Sequence, residues 1–275
     1  MEFSSGRSER RYNWVLDTHL HLYHGYDLGV FLRTLARRVK DVPDVAPDAI
    51  MGGVIADTDR CRGWEMVRDG AFPGVREFSV TQVDGEALLV DVDGVMLHLF
   101  RGCQVVTHER VEVLGVVPRA EVAAGQALKA TLDEIVSLGG IPVLPWSPGK
   151  WWGRRGKLVR DAYRNYPEVW AGDIPMRWWG RPLDLGWGPG ARRCQRVVRG
   201  SDPLPIHGDE ARAGSYMTGL MLDDSHFMLK SDISRALFKT LRSASGNATP
   251  LGRPDSFITS SRRWLALRYG KQPNG

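Results

Sequence analysis

Short apolar strands that end in polar residues recur along this chain, and they constrain its fold more than any other feature. Helical periodicity separates several of these strands, most clearly at residues 28–40 and 121–140. Such alternation is typical of a parallel α/β architecture, and in α/β barrels the reactive groups collect at the carboxyl ends of the strands. We therefore predict a barrel rather than an open sheet. The predicted strands lie at residues 13–22, 49–58, 111–116, 141–146, 168–173 and 196–202.

A change of pattern between about residues 75 and 106 predicts a small antiparallel insertion. Short apolar runs alternate there and are interrupted by Asp84-Gly85 and Asp93-Gly94. An Asp-Gly pair between apolar runs is a strong signal for a β-hairpin. We predict one domain over residues 13–275, with a disordered polar leader at 1–12 and a helical or loop-like extension from about 231 to 275.

Composition narrows the class of protein. The 275 residues are 43% hydrophobic and 25% charged, which is ordinary for a globular protein. No apolar run reaches the roughly 18 residues of a membrane span, and the polar N-terminus does not read as a secretory signal. Cys61, Cys103 and Cys194 are too few and too far apart for a disulfide scaffold. We expect a cytoplasmic protein.

Three of the seven histidines, His19, His21 and His24, fall within six residues at the end of the first apolar strand. Alternate side chains of a strand point to the same face, so His19 and His21 can converge on one point with Asp17 on the same side. Two neutral imidazoles and a carboxylate suit a zinc, manganese or iron ion. His24 lies beyond the strand, and we expect it to be a loop residue.

The segment DTHLH (17–21) resembles the first motif of the PHP (polymerase and histidinol phosphatase) superfamily and, more distantly, the amidohydrolase-like barrels. Four later segments resemble further motifs of that family in the same order, and the resemblance covers about residues 13–206. It implies a distorted TIM-like (β/α)7 barrel and a hydrolase whose metal ions activate water against a phosphoester. The later segments are IADTDRCRGW (55–64), RGCQVVTHERVEVLGV (101–116), GGIPVLPWSPGK (139–150) and RGSDPLP (199–205).

Several of the family's metal ligands are replaced in this sequence. Thr58 and Trp146 stand where the family has histidines, and Gln104 stands where it has a glutamate. A hydroxyl and an amide are weak ligands, and an indole is a donor only. We therefore expect a reduced centre with a single ion. Its predicted ligands are His19, His21 and Asp202, with Asp17 as a further candidate.

Other polar residues are candidates for catalysis or for substrate binding. Asp173 ends a predicted strand and Glu109 lies in the third motif-like segment (101–116), so either could act as the general base. Glu109, Glu112, His108 or Asp173 could also complete the metal site. The alternative interpretation of Asp173 is a cap or turn residue. The candidates for substrate binding are Lys150, Arg177, Glu210, Arg212 and Gln104.

A basic, tryptophan-rich segment (residues 146–199) could provide a binding surface. It holds seven of the ten tryptophans, and its 12 Lys and Arg outnumber 4 Asp and Glu. Indoles among arginines can bind bases, phosphates or other anionic ligands. They can equally pack the rim of the barrel beneath arginine side chains. Nucleic acid is the less favoured partner, because no recognised nucleic-acid-binding motif accompanies the segment.

Two function hypotheses remain. The first, which we favour, is a metal-dependent hydrolase of the PHP type that acts on a phosphoester or other anionic substrate with one divalent ion. The second is a degenerate, non-catalytic barrel without a metal, which binds an anionic ligand or a partner protein through the basic segment. Trp146 discriminates between them, because an indole that filled the space between the histidines would favour the second.

Overall fold

The computed structural model describes residues 11–147, 151–177, 196–221, 232–243 and 248–269. The described residues form one mixed sheet with helices packed against it. The strands are β1 (Tyr12–Leu20), β2 (Val45–Asp57), β3 (Ser79–Asp84), β4 (Ala87–Val92), β5 (Val95–Val106), β6 (Glu112–Val116), β7 (Ile141–Pro145), β8 (Trp170–Asp173), β9 (Val197–Arg199), β10 (Tyr216–Leu220) and β11 (Ala248–Gly252). The helices are α1 (Leu28–Lys40), α2 (Gly63–Arg68), α3 (Leu128–Ser137), α4 (Gly153–Asn165), α5 (Ile233–Ser243) and α6 (Phe257–Tyr269).

The sheet curls into a nearly closed barrel. Its hydrogen-bonded neighbours follow the order β11-β10-β1-β2-β5-β6-β7-β8-β9. The last strand of this path, β9, comes back to β10 and β1, because the Arg199 backbone N–H donates to Thr218 Oγ1 (2.7 Å) and Thr18 Oγ1 donates to the Arg199 carbonyl oxygen (2.9 Å). The carboxyl ends of β1 and β9 therefore lie side by side.

The architecture is a mixed α/β barrel rather than the predicted (β/α)7 arrangement of parallel strands. β1, β2 and β5 run parallel to one another, as do β7, β8 and β9. In contrast, β6 is antiparallel to both of its neighbours, and β10 is antiparallel to β1 and β11. The reason is local, since residues 107–111 between β5 and β6 are too few for the helical crossover that parallel neighbours need.

The predicted hairpin turns are confirmed. Asp84 pairs with Ala87 across the first Asp-Gly turn, and the second turn joins β4 to β5. Asp93 and Gly94 both have positive φ, at 52° and 83°, as a two-residue type I′ turn requires. Only β3 and β4 lie outside the barrel wall, because β5, which the prediction placed in the insertion, pairs with β2 as a barrel strand.

One hydrophobic cluster receives side chains from strands all around the sheet and from α5, so it fills the barrel interior. Two further clusters pack on the outside, one beneath α1 and α2 and the other beneath α3 and α4. In the described part of the chain, no helix combines the length and apolar character needed to cross a bilayer. The interior cluster is formed by Trp14, Leu16, Val54, Phe100, Leu114, Val143, Trp170, Val198 and their neighbours.

Candidate metal centre

Three side chains predicted to bind a metal converge at the carboxyl ends of β1 and β9. The Nε2 atoms of His19 and His21 are 3.0 Å apart, and Asp202 Oδ1 lies 3.6 Å and 3.7 Å from them. Three atoms at these separations lie on a circle with a radius of about 2.0 Å, and zinc bonds to imidazole and carboxylate have this length. In the described part of the chain, this is the one group of His, Cys, Asp and Glu side chains that could share an ion.

A β-bulge directs the two histidines into the barrel. The pairing of β1 with β2 shifts between Asp17 and Leu20. Before the shift, Leu16 packs in the interior cluster, so even-numbered side chains point inward. After the shift, Leu20 packs in the outer cluster, so the odd-numbered His19 and His21 point inward. Bulges beside active sites commonly redirect side chains in this way.

The tautomer of His21 suits metal binding. Its Nδ1 lies 2.8 Å from the carbonyl oxygen of Ala56, which makes Nδ1 the protonated nitrogen and leaves a lone pair on Nε2. Burial lowers the pKa of His21 to about 4, and the neighbouring His19 lowers it further while Asp202 opposes this effect. The imidazole is therefore neutral at pH 7 and available as a ligand.

The segment Gly200-Ser201-Asp202 is held against β1 at each of its three residues. A Cβ on Gly200 would lie 2.3 Å from the Cβ of His19, so only glycine fits there. Ser201 donates from its backbone N–H (2.9 Å) and its hydroxyl (2.5 Å) to Asp17. Asp202 has a positive φ of 45°, and its N–H donates to the His19 carbonyl oxygen (2.9 Å). These contacts place the Asp202 carboxylate over the histidines.

The structure does not bring Asp17 into the cluster of His19, His21 and Asp202. The bulge leaves Asp17 on the outer face of β1, fully buried, where it also accepts from the backbone N–H groups of Gly214 (2.8 Å) and His19 (3.2 Å). Burial raises its pKa to about 6 against the opposing effect of these hydrogen bonds. The expectation of a same-face ligand is therefore corrected, and Asp17 instead fixes Ser201.

Asp173 and Arg177, predicted as base and substrate ligand, bind each other. Arg177 donates from Nε to Oδ1 (2.6 Å) and from Nη2 to Oδ2 (2.7 Å), and the hydroxyl of Tyr216 also donates to Oδ2 (2.9 Å). Both members of the pair are buried. These three hydrogen bonds place Asp173 in a buried structural ion pair, so the contacts do not support a catalytic base here.

The remaining predicted residues are divided between the cluster and other parts of the fold. Gln104 Oε1 lies 3.0 Å from His19 Nε2, at the cluster itself. Glu109 instead accepts from the Leu128 N–H with both oxygens, at the N-terminus of α3. Glu210 and Arg212 belong to a short 3-10 helix, Asp209–Arg212, where Arg212 pairs with buried Asp255. Lys150 lies outside the described residues.

Two further residues lie near the cluster: Tyr23, which the sequence did not indicate, and Glu112, which the sequence indicated as a residue that could complete the metal site. The ring centroid of Tyr23 is 5.6 Å from that of His21, and burial together with the charges of Asp202, Asp209 and Glu112 raises the pKa of its hydroxyl. Glu112 has the same register on β6 as Leu114, which packs into the barrel interior. The alternation of β6 was the one sequence signal that could have selected it.

Trp146 does not take the place of a metal ligand. Its side chain is partly buried against the outer cluster formed by α3, α4 and the strands beneath them. Its backbone N–H donates to the Gly172 carbonyl oxygen (2.7 Å), which extends the pairing of β7 with β8. The indole thus packs outside the barrel interior that contains His19 and His21.

Comparison with known proteins gives a likeness of fold. No protein-family model and no curated protein matches this chain. The crystal structure of PsfC from Pseudomonas syringae PB-5123 superposes with a TM-score of 0.53 at 12% identity, over 94% of this chain and 99% of PsfC. The lesion-specific endonuclease PfuEndoQ from Pyrococcus furiosus gives a TM-score of 0.44 at 11% identity, over 86% of this chain and 57% of the endonuclease. At this identity the likeness to PsfC shows a shared fold alone.

Proposed function

We propose that this chain is a divergent PHP-type, metal-dependent hydrolase that acts on a phosphoester or other anionic substrate with a single divalent ion. The observation that carries the proposal is the triangle of His19 Nε2, His21 Nε2 and Asp202 Oδ1, whose size matches one ion. The five motif-like segments, which occur in family order, support the PHP assignment.

The donor set fits an ion of catalytic rather than structural type. Two histidines and one carboxylate with open coordination positions are a recognised catalytic zinc set, and manganese and iron accept the same donors. The Asp202 side chain is 17% exposed, whereas those of His19 and His21 are 6% and 3% exposed, so the open side of the triangle is the Asp202 side. A bound divalent ion would supply Lewis-acid chemistry, lowering the pKa of water and neutralising an anionic substrate.

The neighbouring side chains have complementary roles in this proposal. Glu112 replaces Asp173 and Glu109 as the general base, because its register directs it to the interior at this end of the barrel. The Tyr23 hydroxyl keeps its proton, since burial and then the nearby carboxylates raise its pKa, and it donates a hydrogen bond to a substrate oxygen. Gln104 orients the substrate beside His19.

The second candidate function is non-catalytic binding of an anionic ligand or partner protein by the basic segment. Trp151 and Trp170 are buried, and Trp151 Nε1 donates to the Pro145 carbonyl oxygen (3.0 Å), so both have structural roles. In contrast, Trp152 is 47% exposed at the start of α4. The same helix exposes Arg154, Lys157 and Arg164. This surface favours an anionic partner, with nucleic acid as one member of that class.

Metal content separates the two candidates. Purified full-length protein is incubated with zinc, manganese or iron, desalted and measured by plasma mass spectrometry, alongside H19A/H21A and the matched control H24A. We expect about one ion per chain in wild type and H24A, because His24 is exposed outside the cluster, and none in the double variant. Absence of stoichiometric metal from wild type with every ion would contradict the hydrolase.

Catalysis is then tested on a panel of phosphomonoesters and phosphodiesters with the retained ion. Glu112→Gln is expected to lower kcat by about 100-fold or more with unchanged metal content, the usual effect of removing a general base. Equal kcat for E112Q and wild type would remove Glu112 from this role. Metal-loaded protein without activity on any anionic ester would favour the binding function.

A further inference from the structure

Arg263 on α6 reaches the loop that holds the Asp202 carboxylate. It is only 5% exposed, although it lies on a helix whose other side chains are mostly at the surface. Its Nη2 donates to the Asp202 carbonyl oxygen (2.8 Å) and to Asp209 Oδ2 (2.8 Å), and its Nη1 donates to Asp255 Oδ2 (3.0 Å). One buried guanidinium therefore joins the Asp202 backbone to two carboxylates.

The backbone of Asp202 needs such support. Its φ of 45° lies in the left-handed region, which a non-glycine residue adopts only where its surroundings impose it. The N–H of Asp202 is held from β1 by the carbonyl oxygen of His19, and its carbonyl oxygen is held from α6 by Arg263. The backbone N–H and the backbone carbonyl of Asp202 are thus each held by an element that is distant in the sequence.

The loop beyond Asp202 depends on the same guanidinium. The N–H of Leu204 donates to Asp209 Oδ2 (2.6 Å), the oxygen that Arg263 Nη2 also binds. The hydroxyl of Tyr26 donates to the Leu204 carbonyl oxygen, which ties the loop to the segment after β1. Ser201 is already fixed by Asp17, so Arg263 controls the part of the loop that Asp17 does not reach.

We infer that Arg263 is a positioning residue for the metal ion: by holding the Asp202 carbonyl oxygen and Asp209, it aims the Asp202 carboxylate at the Nε2 atoms of His19 and His21. The inference rests on the proposed function, since it concerns the same metal cluster. Arg263 acts through Asp202, because its own nitrogens bind the carbonyl oxygen and the carboxylates of Asp209 and Asp255.

The test measures metal affinity in full-length, metal-stripped protein. Dissociation constants for Zn²⁺ and Co²⁺ are determined for wild type, Arg263→Met, Arg263→Lys and the control Arg262→Met. We expect R263M to bind both ions about 10- to 100-fold more weakly, as is typical when a group supporting a metal ligand is removed. R262M is expected to match wild type, because Arg262 is exposed on the same helix.

Lysine provides a second variant in case methionine prevents folding. R263K keeps a positive charge between Asp209 and Asp255, but an ammonium cannot reproduce the planar fork that reaches the Asp202 carbonyl oxygen as well. Its affinity is therefore expected to lie between those of wild type and R263M. The visible spectrum of bound Co²⁺ should shift in R263K, since the carboxylate ligand is displaced or reoriented.

A double-mutant cycle with Asp202→Asn distinguishes positioning from general support of the fold. If Arg263 acts through the Asp202 carboxylate, R263M or R263K causes no further loss of affinity in the D202N background. The inference would be overturned by an equal loss of metal affinity in the wild-type and D202N backgrounds, or by wild-type affinity in R263M and R263K. In either case, metal binding by the wild-type protein would still support the proposed function. Absence of metal from wild type itself would overturn both.

Discussion

Asp173 and Asp202 follow neighbouring strands of the same barrel, yet their surroundings give them opposite roles. Asp173 ends β8 and accepts two hydrogen bonds from Arg177 and one from Tyr216. Asp202 follows β9 and faces two imidazoles, and no lysine or arginine of the described residues forms an ion pair with its carboxylate. A carboxylate at the end of a strand is therefore only a candidate for the metal site. The presence or absence of a countercharge beside it distinguishes a structural ion pair, as at Asp173, from a candidate metal ligand, as at Asp202.

The largest expected effect comes from breaking the structural side of this comparison. Asp173→Asn leaves the buried guanidinium of Arg177 without its countercharge, so the free energy of unfolding should fall by about 3–5 kcal/mol. Chemical denaturation of the metal-free wild type and of D173N measures this difference in the free energy of unfolding. The comparison would fail if D173N kept wild-type stability but lost metal binding, because Asp173 would then belong to the metal site.

Asp202→Asn tests the other side. Replacing the one carboxylate of the proposed metal site should weaken Zn²⁺ binding by at least about 100-fold, or about 2.7 kcal/mol, while metal-free stability stays close to that of wild type. Titration calorimetry and denaturation of the same preparation measure both quantities. If the free energy of unfolding of the metal-free protein fell as much in D202N as in D173N, both carboxylates would stabilise the fold and the comparison would fail.

Acid should affect the metal cluster through His21. In the metal-free folded protein His21 takes up its proton near pH 4, whereas its ordinary pKa is 6.5. Between these values the unfolded chain binds more protons, so stability falls as the pH falls through this window, by about 2 kcal/mol at pH 5 relative to pH 8. His21→Asn should remove this part of the pH dependence. An identical pH profile for both proteins would exclude His21 as its source.

Local signals in the sequence predicted the elements that depend on few residues. Helix α1 spans the predicted residues 28–40, because Asp27 caps it and Leu32 and Leu35 recur at helical spacing toward the core. The Asp93-Gly94 turn was predictable because its backbone conformation favours these residue types. The convergence of His19 and His21 followed from strand alternation beyond the bulge.

Features that depend on distant contacts could not be predicted. The bulge after Asp17 arises from the pairing of β1 with β2, so strict alternation placed this side chain on the wrong face. Helix α3 begins at Leu128 instead of 121, because the preceding loop bonds to the end of β5 through Gly125 N–H and Val106 O. Strand β11 forms by pairing with β10 in a stretch that resembled a loop.

The site shows the same division between local and distant determinants. The sequence indicated His19, His21 and Asp202 as candidate metal ligands, because each lies in a short motif at the end of a strand. It could not show that Glu109 caps α3 or that Arg263 reaches Asp202 from α6, since both contacts join segments far apart in the chain. Charge pairing across the fold, rather than residue type, distinguishes Asp202, the candidate ligand, from the other carboxylates.

The central claim is that one ion binds between His19, His21 and Asp202, and crystallography of zinc-soaked protein tests it most directly. An anomalous difference map at the zinc edge should show one strong peak about 2.0–2.2 Å from His19 Nε2, His21 Nε2 and an Asp202 oxygen. The same map from D202N crystals should show that peak weakened or absent. A zinc peak elsewhere, or none at this cluster with full-length protein in excess zinc, would contradict the account.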